Sequence, residues 1–222
     1  MNKTKIEWTD YSWNPITGCL HGCWYCYAKR MFHRFGKSFE PKFYPERLEE
    51  LKKLKKPAKI FVCSVSDLFA PWTKQKWRDA VLNEIQKPKY NHLTFQLLTK
   101  NPENIKLEAK ENIWVGVTIT QYKDLDKIWD LTQNYKGHKF LSFEPLLEFV
   151  SPHTLKGIEW IIIGKLTGSK RIKLNPDWVK YLISRARESK IPIFLKNNLK
   201  WPEKIQEEIA PLIRNQKLYG NK

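Results

Sequence analysis

Cysteine is scarce in this chain, with four among 222 residues, and so few thiols exclude a disulfide-stapled secreted scaffold. Long apolar runs are absent too. No stretch approaches the length needed to span a bilayer, and Met1-Asn2-Lys3-Thr4-Lys5 has no hydrophobic segment behind it. Neither a membrane anchor nor a secretory leader is expected, and a reducing cytoplasm is the expected compartment. Acidic side chains are in deficit: 23 stand against 40 Lys and Arg, for a net charge of +17. That surplus favours nucleic acid or another anionic partner, although the densest run, Lys52-Lys53-Leu54-Lys55-Lys56, has the character of a solvated face. A nucleotide phosphate loop is missing as well. Gly164-Lys165-Leu166-Thr167-Gly168-Ser169-Lys170 places three residues between its glycines, where that loop needs four followed by Lys-Ser/Thr.

What is present is an ordered, aromatic-rich chain. Hydrophobic residues make up 41% and aromatics 14%, enough for one sizeable core. No break in composition marks a boundary, so one domain over residues 1–222 is expected. Ten tryptophans are assigned mostly to packing, with stacking left for a few.

Short β-branched and aromatic runs recur along the chain: 59–65, 93–98, 113–119, 139–143, 160–164 and 191–195, with a further short strand near Tyr11 to Ile16. Their spacing leaves room for one helix in most intervals, the pattern of βα units around a parallel sheet. Asn101-Pro102-Glu103 and Asn175-Pro176-Asp177 read as helix starts, an N-cap asparagine before a proline at the first helical position. Pro45–Leu51 and Lys74–Gln86 read as helices, and a weaker one from Pro202 would cap an open edge. The expected fold is α/β, a partial (β/α) TIM-type barrel of about six or seven parallel strands.

Such barrels carry function at the carboxyl ends of their strands. Polar residues collect there: Ser64, Ser66 and Asp67; Thr99 and Lys100; Thr118 and Thr120; Ser142 and Glu144; Gly164 to Gly168; Lys196 and Asn197.

Three of the four cysteines crowd into Cys19-Leu20-His21-Gly22-Cys23-Trp24-Tyr25-Cys26, with three and then two residues between them. Thiolates so close on a turn can address one centre, either an iron-sulfur cluster or zinc. Closed structural sites take four protein ligands, so three leave a coordination position open. His21 or Cys63 could complete a zinc site, and Cys63 an electron-transfer cluster. The alternative to an enzyme is therefore a zinc- or cluster-containing nucleic-acid-binding module.

The Cys-x3-Cys-x2-Cys spacing with an aromatic before the last cysteine resembles the cluster motif of the radical S-adenosylmethionine (SAM) enzymes. Thr4–Asp10, Trp13-Asn14-Pro15, Gly18-Cys19, Cys26-Tyr27-Ala28, Phe61 to Phe69, Gln96–Lys100 and Glu144–Leu147 extend the resemblance to a phage- or mobile-element-associated branch of that superfamily. It implies a cluster loop over residues 18–27, with Cys19, Cys23 and Cys26 holding three irons of a 4Fe–4S cluster. SAM would bind the fourth iron and be cleaved reductively to a 5′-deoxyadenosyl radical. A reductase or reduced flavodoxin or ferredoxin would supply the electron, the substrate would be a nucleic acid or nucleotide, and a genomic-neighbour protein would be a partner.

By motif position, Tyr25 would lie near the adenine. Ser64, Ser66 and Asp67 stand where the superfamily often has a Gly-Gly-Glu-like segment for the methionine ammonium. Thr118 and Thr120 are assigned to ribose hydroxyls, Ser142 to the cofactor site, Glu144 to the cofactor's amino or ribose groups or to a substrate proton, and Gly164 to a close backbone approach. Leu166 replaces the branch's usual acid, so that role does not carry over. Lys165, Lys170 and Arg171 would make the rim basic. After the cluster loop, Met31, Phe32 and Phe35 would face inward on a helix, leaving Lys29, Arg30 and Arg34 outside.

Overall fold

The computed structural model describes residues 1–168 and 172–208. In chain order its elements are β1 (Asn2–Lys3), β2 (Tyr11–Trp13), β3 (Ile16–Thr17), α1 (Tyr27–Arg34), β4 (Lys42–Phe43), β5 (Ala58–Val62), α2 (Gln75–Ile85), β6 (Leu93–Thr99), β7 (Ile113–Thr118), α3 (Asp126–Asn134), β8 (His138–Phe143), β9 (Trp160–Ile163), α4 (Pro176–Glu188) and β10 (Ile193–Leu195). One eight-stranded sheet runs β1-β2-β5-β6-β7-β8-β9-β10. All of its neighbours are parallel except the antiparallel β1–β2 pair, so seven strands form the parallel set. The fold is α/β, a partial (β/α) barrel. Among the described residues no helix is long and apolar enough to cross a membrane.

Buried on both faces, the strands sort their side chains with period two. Ile60, Phe95, Val115, Leu141, Ile161 and Ile193 point to the helix layer and join its core. Phe61, Trp114, Phe140, Trp160, Ile162 and Phe194 point the other way and, with Trp8, form a second cluster inside the curved sheet. Gly116, opposite Phe140 in the register, makes room for that ring: a Cβ there would sit 2.5 Å from it. The next inward positions are Thr118 beyond Gly116, Ser142 beyond Phe140 and Lys196 beyond Phe194. An aromatic plug thus fills the barrel, and polar side chains lie on top of it at the carboxyl ends. Trp8, Trp13, Trp114 and Trp160 are core residues, whereas Trp129 is 64% exposed.

Four of the six parallel crossovers contain an α-helix; β6–β7 and β8–β9 do not. The helix expected at Asn101-Pro102-Glu103 is a single 3-10 turn, Pro102–Asn104, with no side-chain cap. Asn101 is diverted: its Nδ2 donates to Asp67 Oδ2 at 2.9 Å. Pro45–Lys53 is a 3-10 stretch rather than an α-helix. At Pro176, by contrast, Asn175 Oδ1 accepts from Asp177 N at 2.9 Å and a helix follows.

The helix expected from Pro202 does not form over 202–208. That segment runs antiparallel to β10, with Leu195 N donating to Ile205 O and Glu207 N to Ile193 O, so it closes the sheet edge as extended chain. The remainder of that reading, from 209, and the rim residues Ser169, Lys170 and Arg171 lie outside the described residues. Pro15 divides the strand expected over Tyr11–Ile16. Tyr11–Trp13 joins the main sheet, and Ile16–Thr17 pairs with β4.

Candidate active site

The cysteine loop is fixed by backbone contacts before any side chain is considered. Gly18 has φ +85°, and a Cβ there would lie 2.2 Å from the Glu40 carbonyl oxygen, so only glycine fits. Its N–H donates to Val65 O, and the Cys19 N–H donates to Phe39 O, both at 3.1 Å. Cys26 is the N-cap of α1, with its sulfur accepting from Lys29 N at 3.3 Å. Burial pushes the Cys19 thiol up to about 12, the His21 N–H opposes this, and negative charge at Asp67, Cys23 and Cys26 adds to the rise. A thiolate at Cys19 therefore calls for a cationic centre beside it.

Asp67 anchors the loop from below. It is 3% exposed, and its two oxygens accept from Phe69 N, Thr99 Oγ1, Lys100 N and Asn101 Nδ2, while His21 Nε2 lies 2.8 Å away. Burial alone would raise its carboxyl, but His21, the Lys100 N–H and Thr99 together hold it below the usual carboxylate range. The ammonium-binding role expected for Asp67 is thereby corrected: its acceptor sites are already taken by protein donors. His21, braced by Asp67 and edge-on to Trp72 at 4.7 Å, shapes the loop.

Cys19, Cys23 and Cys26 line a cavity of about 470 Å³ at the carboxyl ends of the strands. That volume suits a small-molecule site. Trp8, Phe61, Leu98, Thr118 and Ser142 line it from the plug side, Ser64 and Ser66 from the loop after β5, and Glu144, Lys165 and Lys196 from the loops after β8, β9 and β10. Tyr25, Tyr27 and Arg30 add the edge next to α1. The Ser66 hydroxyl is buried there without a partner, and so is the Trp8 indole N–H. Tyr25 is held by Lys100, whose ammonium donates to its hydroxyl at 2.7 Å. Burial is the main reason its phenol is shifted upward.

Of the expected binding residues, Tyr25, Ser64, Ser66, Asp67, Thr118, Ser142 and Glu144 line this one cavity. Gly164 does not. A Cβ there would meet Lys196 at 3.0 Å and Glu144 at 3.1 Å, so its lack of a side chain makes room for the ion pair between those two residues. Burial raises the Glu144 carboxyl even with Lys196 opposing. Thr120 is committed to Asp124, which its hydroxyl meets at 2.9 Å. Cys63 is fully buried under the strand end, with its N–H on Trp13 O, and is not a wall residue. Met31 and Phe35 are corrected too: they are 39% and 67% exposed, and only Ala28 of α1 is buried.

Lys196 and Arg30 are wall residues whose importance the strand pattern only partly signals. Lys196 follows the inward Phe194 by two, so extending the alternation past β10 finds it. Trp8 lies between β1 and β2, outside either strand, and carries no such signal. Among the described residues, no three His, Cys, Asp or Glu side chains are grouped closely enough to hold a metal ion as they stand.

A family model described as "Protein of unknown function (DUF5131)" matches residues 3–222. No curated protein matches. Among solved structures, the chain is similar to spore photoproduct lyase complexed with dinucleoside spore photoproduct, with a TM-score of 0.52 at 10% identity, over 84% of this chain and 63% of that one. It is equally similar to a two-substitution mutant of that lyase with bound AdoMet and dinucleoside spore photoproduct, again with a TM-score of 0.52 at 10% identity, covering 84% and 63%. The chain therefore spans less than two thirds of the length of these relatives, and at this identity the likeness is one of fold.

Proposed function

The chain belongs to the DUF5131 family, and from that premise and the cavity geometry we propose that it is a radical SAM enzyme acting on a nucleotide unit of nucleic acid. The observation that carries the reading is the meeting of three cysteines from one short loop with the polar ends of the parallel strands around a single cavity. The donor chemistry suits the cofactors, although the thiols would have to draw together to share one centre. Three thiols line the cavity, and an unpartnered buried Ser66 hydroxyl waits at its wall. A similar solved structure holds AdoMet at its own site, which supports the same cofactor here.

Cys19, Cys23 and Cys26 would hold three irons of a 4Fe–4S cluster, leaving one iron for SAM. When bound, that pair supplies a carbon radical that abstracts hydrogen from substrate, with the electron coming from an external reductase, flavodoxin or ferredoxin. The chain's own residues position and shield. Ser66 and Ser64 offer hydroxyl acceptors to an ammonium, and Tyr25, pinned by Lys100, presents a fixed ring face to a purine. Thr118 and Ser142 offer hydroxyls above the aromatic plug, and the plug keeps water from entering from below. Lys196 holds Glu144 in place, and the pair can accept or return a proton at the far wall. The net charge of +17, and the dinucleoside spore photoproduct held by the similar lyase, support a nucleic-acid substrate.

The test is anaerobic reconstitution with iron and sulfide, followed by reduction in the presence of SAM. Intact protein is expected to form 5′-deoxyadenosine, and Cys23→Ala to form none. One zinc per chain, no sulfide and no SAM cleavage would replace this reading with a zinc-dependent nucleic-acid-binding module.

A further inference from the structure

Helix α1 is an anomaly of packing. Of its eight residues only Ala28 is buried, yet it carries Tyr27 and Met31 at 52% and 39% exposure and is followed by Phe35 at 67%. These three stand at i, i+4 and i+8, one stripe along the helix, spanning about 12 Å. An exposed apolar stripe of this kind marks a binding surface more often than chance.

The charges beside it have one sign. From Tyr11 to Phe39 the chain has no Asp or Glu, whereas Lys29, Arg30, Arg34 and Lys37 all fall within that stretch. Lys29, Arg30 and Arg34 are exposed. The stripe starts at the cavity. Tyr27 and Arg30 line it, the Tyr27 hydroxyl donates to Ser64 O at 2.8 Å, and Arg30 Nη2 reaches Thr167 O at 3.4 Å across the mouth. Lys165 adds a cation from the opposite loop.

We propose that α1 is a docking track for single-stranded nucleic acid, with bases stacked on Tyr27 and Phe35 and phosphates on Arg30 and Arg34, which flank the stripe, feeding one nucleotide into the cysteine cavity. The proposal rests on the reading of that cavity as the reaction chamber. Charge complementarity selects the partner: a strand supplies both anions and flat stacking faces, the two things this surface offers partners for. An acidic peptide would satisfy the cations and leave the aromatic stripe wet. A duplex keeps its bases stacked on one another, away from Tyr27 and Phe35.

The test is fluorescence anisotropy of a labelled 12-nucleotide strand against the anaerobically prepared full chain, over a KCl series. Arg30→Ala/Arg34→Ala is expected to lower the slope of log K against log salt by about 1.4, the value for two single-strand phosphate contacts. Phe35→Ala, a truncation at an exposed position, is expected to weaken binding roughly 5- to 150-fold at fixed salt, the value of one stacked base. Lys55→Ala/Lys56→Ala removes the same charge from the segment leading into the amino end of β5, away from the cavity, and is expected to bind as wild type.

Three results overturn the proposal: equal loss in all three variants, a duplex of the same length binding as tightly as the strand, or no binding of either. Circular dichroism of each variant verifies the fold. SAM cleavage without oligonucleotide reads the cavity separately, so loss of cleavage with the strand still bound on α1 sinks the cofactor reading and leaves the track standing.

Discussion

Replacing Asp67 by asparagine removes one acceptor oxygen from a buried network without changing its shape. Oδ1 accepts from Phe69 N at 3.1 Å and Thr99 Oγ1 at 2.7 Å; Oδ2 accepts from Lys100 N and Asn101 Nδ2, both at 2.9 Å, and faces His21 Nε2. An amide must turn its NH2 toward one of these groups. Thr99 can rotate its hydroxyl and His21 can change tautomer, but each group includes a backbone N–H that cannot reverse. Either Phe69 or Lys100 is left donor against donor in a site that is 3% exposed. An unsatisfied buried donor, with the lost charge assistance, costs about 3 kcal/mol. For a chain of this size that lowers the thermal midpoint by roughly 6–12 °C. Urea denaturation followed by circular dichroism measures it, with wild type and Asp67→Asn compared at equal slope. A variant within about 0.5 kcal/mol of wild type would refute the network as described. Iron bound after reconstitution gives a second readout, because His21 loses its brace and the loop between Cys19 and Cys23 is freed.

Gly18→Ala places a Cβ 2.2 Å from a backbone oxygen at φ +85°, so it is expected to prevent iron incorporation outright, measured by iron and sulfide analysis of soluble protein. Lys196→Met leaves Glu144 facing the cavity wall without its cation, at an expected loss of about 2 kcal/mol. The double variant Lys196→Met/Glu144→Gln should recover part of it, and a double-mutant cycle showing no coupling would contradict the pair. Gly116→Ala drives a methyl into the Phe140 ring and is expected to cost about 1–3 kcal/mol in urea denaturation.

Far from the cavity, hydrogen bonding and charge from Glu159 raise His138 above 6.5, against opposing burial. Glu159 is pushed up by burial but held below 4.5 overall by His138 and Lys139. The contribution of His138 is full below pH 6.5 and lost as pH rises through its raised value; that of Glu159 is full above pH 4.5 and lost as pH falls through its lowered value. Midpoint-against-pH curves should show that His138→Gln removes the His138 part and weakens the Glu159 part, which Lys139 still sustains.

The strands were legible because their evidence is local: alternation and β-branching at 58–62, 93–99 and 113–118 depend only on neighbours in sequence. The rule that such barrels carry function at the carboxyl ends of their strands also brought Ser66, Thr118 and Ser142 to one cavity. The roles of Asp67 and Asn101 were illegible because their partners lie 32 to 80 residues away. Asn101-Pro102 has a good local helix start, but Asp67 takes the asparagine side chain that the cap needs. Met31 and Phe35 show the reverse error. Helical spacing states which residues share a face, and it does not say whether anything covers that face.

The cavity is assembled from both ends of the chain: its thiols come from residues 19–26 and its far wall from Lys196. During synthesis on a ribosome the cysteine loop therefore emerges about 170 residues before the strand that completes the chamber, a lag of roughly 10–30 s. For that interval the three thiols stand without the wall that encloses them, and any group they hold is enclosed only once β10 has docked.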